Sequence, residues 1–214
     1  GRVQLEQALT SFTQLGLAGR AREARHNLAC LANLQGRHDA ALAMSDISSA
    51  EALRCGDWMH AHIEATACDA LVGLGRADEA VQRVRRAIEE TPGKDRGDYD
   101  LRLALGRAEL ADGRLDEAEA SLRHALGLLE RGGRPDDPLL FEALAEVLRR
   151  RGNTADADTA AARGRAAPQP GRSSSEETLR WRLKALQAGV ELQAVRLRYG
   201  RIAAERARLS AQLE

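Results

Sequence analysis

Four glycines recur at nearly constant spacing along the chain, and that period restricts the fold more than any other feature. Gly36 (in LQGRHDAAL), Gly75 (LGRADEAV), Gly113 (ADGRLDEAE) and Gly152 (RRGNTADAD) stand 39, 38 and 39 residues apart. Each follows a helix-like run and precedes a short polar step with Asp or Glu. A glycine there can take the left-handed conformation that ends a helix, and the acids after it suit the positive N-terminus of the next. The pattern predicts a helix, a tight turn and a second helix, repeated about four times.

Columns aligned on those glycines test the repeat independently. Five residues after each stands alanine: Ala41, Ala80, Ala118 and Ala157. Seven before come Ala29, Cys68, Gly106 and Ala145, and twelve after come Ser48, Ala87, Ala125 and Gly164, small in every case. Eight before come Leu28, Ala67, Leu105 and Leu144. Small residues at fixed offsets let antiparallel helices approach closely at their crossing points. The alternative is a plain antiparallel bundle in an Ala-rich chain, which does not require a long period.

Composition supports helices: 43% of residues are hydrophobic but only 3% aromatic. A core of Ala and Leu suits close-packed helices better than a β-sandwich. The 32 basic residues balance 32 acidic ones, which argues against a general attraction to nucleic acid or membrane surfaces. Cys30, Cys55 and Cys68 are odd in number and form no CxxC pair, so reduced thiols and a cytoplasmic location are expected. No run approaches the ~20 apolar residues that span a bilayer. The sequence starts and stops within helical patterns, which suggests a piece of a larger protein.

The columns resemble the tetratricopeptide repeat, with its small residue in the first helix, turn glycine and paired alanines in the second. Segments 57–92 and 97–130 fit best, 138–165 is weaker, and residues 1–17 look like the second helix of an incomplete unit. The resemblance covers roughly residues 1–166. It departs in its longer period and in its aromatic columns, where Arg25, Glu64 and Arg102 replace a common Trp. Units of this kind look like those fused to bacterial signalling and regulatory proteins.

The resemblance implies an all-α superhelical stack whose first helices line a concave groove for a protein or peptide. Carried over column by column, the groove residues are Glu23, Asn27, Cys30 and Asn33 in the first unit. His62, Thr66 and Asp69 follow in the second, Asp100 and Arg107 in the third, and Glu142, Glu146 and Arg149 in the fourth. The columns that grip a terminal carboxylate in some relatives hold mainly acids here, with His26 and Asn27 the nearest approach. A partner with basic residues fits better. The rival reading of every such position is a solvated helix face.

Chemistry is sparse. His60 and His62 lie two apart on a helix and point to different faces, so the cluster Cys55, Asp57, His60, His62 and Cys68 is not expected to hold a metal. No P-loop, GxGxxG, GxSxG or HExxH is present, and no catalytic residue, metal or cofactor is expected.

The expected organisation is a repeat domain over 1–167, a linker over 168–175 (two prolines, a glycine and three serines) and a long helix over 176–214. Ser174 and Glu177 make a capping box for that helix. Leu179, Leu183, Leu186 and Val190 form a first apolar seam, expected to cap the stack. Leu192, Val195, Tyr199, Ile202, Leu209 and Leu213 continue as a heptad seam interrupted by Arg206, expected to form a dimeric coiled coil. A capping helix without dimerisation is the alternative. The segment LQAVRLRYGRIAAERARLSAQLE is similar to helices that join such arrays to GGDEF (diguanylate cyclase) domains. The expected function is a non-catalytic interaction module that relays binding to an output domain. The alternatives are the regulatory part of a diguanylate cyclase and the repeat region of a transcriptional regulator.

Overall fold

A computed structural model describes residues 2–90 and 95–167, together with Tyr199 and Arg208. The described residues hold helices and no strand. In order they are α1 (Arg2–Gln14), α2 (Ala18–Leu34), α3 (His38–Cys55), α4 (His60–Gly73), α5 (Ala77–Glu90), α6 (Asp95–Ala111), α7 (Leu115–Arg131), α8 (Pro138–Arg150) and α9 (Thr154–Ala166). None is long and apolar enough to cross a membrane.

The units are α2–α3, α4–α5, α6–α7 and α8–α9, with α1 in the position of a second helix. Each turn between the paired helices holds its glycine left-handed, with φ of 70° at Gly36, 74° at Gly75, 80° at Gly113 and 81° at Gly152. The fourth unit starts differently. Pro138 opens α8, and the Asp137 carboxylate caps it by accepting from the Leu139 N–H at 2.9 Å and from the Tyr99 hydroxyl at 2.8 Å.

The small columns lie where helices cross. Ala41, Ala80, Ala118, Ala157, Ala29, Cys68, Ser48 and Ala125 are wholly buried. A Cβ on Gly106 would stand 2.6 Å from Leu122 Cγ, and one on Gly164 would stand 3.0 Å from Phe141 Cβ. Larger residues at either point would push two helices apart, the close approach that the spacing predicts.

Where a Trp is common in the resembled repeat, ion pairs occupy the space. Arg25 bonds Glu51 at 2.9 Å, Glu64 bonds Arg83 at 2.7 Å, and Arg102 bonds Asp98 at 3.1 Å. Burial works to raise the Glu64 pKa, yet the Arg83 hydrogen bonds and charge hold it below the usual range. Arg83 also reaches Asp46 at 2.6 Å, tying α3, α4 and α5 together. A second buried carboxylate, Glu109, accepts from Arg85 at 2.9 Å and from Ser121 at 2.7 Å. Both are satisfied on two sides, as buried charge requires.

The first helices pack in series, α2 on α4, α4 on α6 and α6 on α8, whereas the backbones of α3, α5, α7 and α9 stay apart and long side chains, Arg83 to Asp46 and Arg163 to Glu130, bridge them. A layer whose helices are in contact, backed by one whose helices are spread, must curve with the contacting layer inside. The inner face is therefore that of α2, α4, α6 and α8. Beyond Ala167, Tyr199 and Arg208 have helical backbone and are exposed. The linker, both apolar seams and the rest of the helix expected over 176–214 lie outside the described residues.

The candidate partner face

On α2, α4 and α6 the side chains named from sequence form a series of contacts that cross from helix to helix. The Asn33 amide of α2 donates to the Thr66 carbonyl of α4 at 2.9 Å, and Cys30 Sγ lies 3.5 Å from Thr66 Oγ1. From α4 to α6, His62 Nδ1 stands 2.7 Å from Asp100 Oδ2, and Arg107 donates to Asp69 at 2.7 Å. His62 and Asp100, like Asp69 and Arg107, occupy equivalent columns of successive units, which face each other across one helix diameter. Asn33 and Cys30 instead meet Thr66, which belongs to a different column.

Burial modifies the charges in this series. Desolvation, helped by the neighbouring His62, lowers the His26 pKa to about 4, so its imidazole is neutral at pH 7. Desolvation likewise pushes the Cys30 thiol up against the bond to Thr66. Asp69 is also raised, because burial outweighs the Arg107 charge beside it. The His38 ring, 3.2 Å from Asn33 Oδ1, closes the series at the C-terminal end of α2.

Other positions stand apart. Glu23 pairs with Arg20 along its own helix at 2.9 Å, and Asn27 is exposed. On α8, Glu146 pairs with Arg149 and Arg150, both at 2.8 Å, while Glu142 is exposed and forms no ion pair among the described residues. Of the seam residues named from sequence, Leu192, Val195, Ile202, Leu209 and Leu213 fall outside the described residues.

His60 and His62 do have different neighbours. His60 is buried with Glu64 at 4.0 Å and Glu90 at 3.9 Å, whereas His62 faces Asp100. Cys68 is wholly buried and its thiol donates to the Ala104 carbonyl at 3.4 Å, a packing role. No group of three His, Cys, Asp or Glu side chains among the described residues could hold a metal ion.

Trp58, in the turn before α4, belongs to no repeat column named from the sequence. Its ring is 61% exposed and meets the His62 ring in a T-shape, with centroids 5.4 Å apart and planes at 81°. It lines an open cavity of about 720 Å³ with Glu23, Asp57 and residues 16–20. The available signal was scarcity: Trp58 and Trp181 are the only tryptophans in 214 residues.

Comparison with known proteins agrees with this architecture. Residues 71–128 match the tetratricopeptide repeat family. The fold is similar to that of Bacillus thuringiensis PlcR, solved with the peptide PapR7 and DNA, at a TM-score of 0.59 and 12% identity. That alignment covers 76% of this chain and 63% of PlcR. BtubC from P. vanneervenii aligns at a TM-score of 0.55 and 22% identity, over 74% of this chain and 70% of BtubC. No curated protein matches the sequence. The described residues thus form an all-helical repeat stack, within which residues 71–128 match the tetratricopeptide repeat family.

Proposed function

We propose that this chain is a non-catalytic, cytoplasmic interaction module that holds a protein or peptide segment along the inner face of α2, α4, α6 and α8. The observation that carries the reading is the series of cross-helix polar contacts. A solvated face needs no such register, whereas a surface that must present fixed donors and acceptors does. PlcR, which shares the fold, was solved with a peptide, so the fold is compatible with that use.

Site-specific photocrosslinking tests the reading. A crosslinking residue at exposed Asn27 or Glu142 on the inner helices should capture a protein in the native host. The same residue at exposed Gln82 or Glu89 on α5 should not. Adducts only from α5 would overturn it.

The proposal extends to the last helix, where the seam Leu192, Val195, Tyr199, Ile202, Leu209 and Leu213 forms a homodimer and relays partner binding to an output domain. Sedimentation of the full chain should give a dimer, and removal of 192–214 a monomer. A monomeric full chain would end the relay idea. The setting is a signalling protein, with the regulatory region of a diguanylate cyclase and that of a transcriptional regulator as the two versions. The parent reading frame separates them: a GGDEF domain supports the first and a helix-turn-helix domain the second.

A further inference from the structure

A face that holds a segment needs an anchor, and Trp58 has the features of one. Exposed indoles are uncommon in a monomer's surface and are enriched where partners bind. This ring is also held in attitude. Its T-shaped contact with His62 is fixed in turn by the His62–Asp100 pair, so the indole ends a chain of contacts running through two units. A ring positioned in advance loses little freedom on binding.

The surroundings specify the occupant. The cavity beside Trp58 is walled by Gly16, Gly19 and Gly56, which leave room for a long side chain, and by the Glu23 and Asp57 carboxylates. Asp57 is committed to the buried Arg22 and to the Met59 N–H at 3.0 Å. Among the described residues Glu23 is held by an exposed pair with Arg20, which a competing cation can displace at small cost. Farther along the inner face, Asp69, Asp100, Glu142 and Glu146 outnumber Arg107, Arg149 and Arg150, and Glu142 is unpaired among the described residues. An indole face beside a carboxylate, on a face with surplus acid, suits a planar cation. Arginine stacks on indole and bonds carboxylate at once, which lysine does less well.

We propose that Trp58 anchors the inner face by receiving an arginine side chain from a basic segment of the partner, with Glu23 pairing its guanidinium. This rests on the inner-face reading above and names the chemistry of the partner.

Calorimetric titration of the full chain with hexa-arginine, hexa-lysine and hexa-glutamate peptides, at one moderate salt concentration, tests it. Because the chain's formal net charge is zero, bulk attraction contributes little. Hexa-arginine should bind more tightly than hexa-lysine, and hexa-glutamate should not bind. Trp58→Ala should weaken hexa-arginine roughly tenfold, with Trp58→Phe retaining part of the affinity. Asp100→Asn should weaken it a few-fold by freeing His62, and thermal melts should show each variant folded. If Trp58→Ala binds like the parent while Glu142→Gln weakens binding, the anchor is wrong and the inner-face reading stands. If hexa-arginine fails to bind while Asn27 and Glu142 still crosslink a partner, the basic chemistry is wrong and the face is right. Loss of both the binding and the inner-face crosslinks would remove the proposal together with the reading beneath it.

Discussion

The two ends of the stack are held together by different means. Around α6–α9 the interior is one continuous apolar cluster in which Tyr99, Leu103, Leu122, Leu129, Leu140, Phe141, Leu144, Val147 and Leu148 interlock. Arg134 lies over the Tyr99 ring at 4.3 Å and Arg163 over Phe141 at 4.6 Å, sealing that cluster from outside. Around α1–α3, and where α4 meets them, the interior breaks into small clusters, Ala32 with Ala41 and Ala70, and Ala52 with Met59 and Ile63. The only buried residue of α1 is Ser11.

Polar groups take up the difference. The buried Arg22–Asp57 pair and the Asn33–Thr66 bond join the N-terminal helices. Four buried polar atoms form no hydrogen bond within the described residues, Arg22 Nε, His26 Nδ1, Ser45 Oγ and Ser48 Oγ, and all belong to α2 and α3. Such atoms cost about 1–3 kcal/mol each when left without a partner. The lesson is a division of labour. The C-terminal units supply stability, and the N-terminal units give some of it up for a polar inner surface with Trp58 at its rim.

Cavity mutations should break or uphold this contrast most visibly. Leu122→Ala, at a wholly buried site, should lower the unfolding free energy by about 3 kcal/mol in denaturant melts. Leu28→Ala, in the Ala-lined N-terminal half, should cost less than half of that, and equal costs would erase the contrast.

The next effect is on the order of 2 kcal/mol and depends on pH. Burial and the nearby His62 bring His26 from 6.5 down to about 4, so the unfolded chain binds this proton more readily than the folded one. Its contribution to stability is complete above pH 6.5 and declines as pH falls towards 4. Glu64, held low, adds a loss of the same sign in more acid solution, while Asp69, held high, works the other way. His26→Gln should flatten the slope of the melting midpoint between pH 6.5 and 4, and an unchanged slope would assign it elsewhere.

Gly106→Ala should cost about 1–2 kcal/mol, because its Cβ would press on Leu122 and force α6 from α7. Smallest is Arg107→Gln. Its pair with Asp69 is about one-third exposed on both sides, so less than about 1 kcal/mol of stability should be lost. Partner affinity should fall more than stability does.

The fold was legible in the sequence because its determinants are local. Turn glycines such as Gly75, and small residues such as Cys68 and Gly106, are demanded by backbone conformation and helix approach, and both leave a residue-type signature at a fixed offset. The candidate face was legible in part. His62 and Asp100, or Asp69 and Arg107, could be assigned to columns, but a column does not say that its members pair across helices. Charged residues at the aromatic columns were visible as departures. That Arg25 and Glu64 would find Glu51 and Arg83 was not, because those partners lie 26 and 19 residues away. Trp58 is not legible for a related reason, since exposure depends on the whole fold and an aromatic beside a helix start is usually core.

Hydrogen exchange of the full chain, with and without the partner captured from Asn27 or Glu142, tests the central claim most directly. The account predicts slowed exchange in α2 and α4 and in the Trp58 turn, with α5, α7 and α9 unchanged. Slowing confined to α5, α7 and α9 would contradict it.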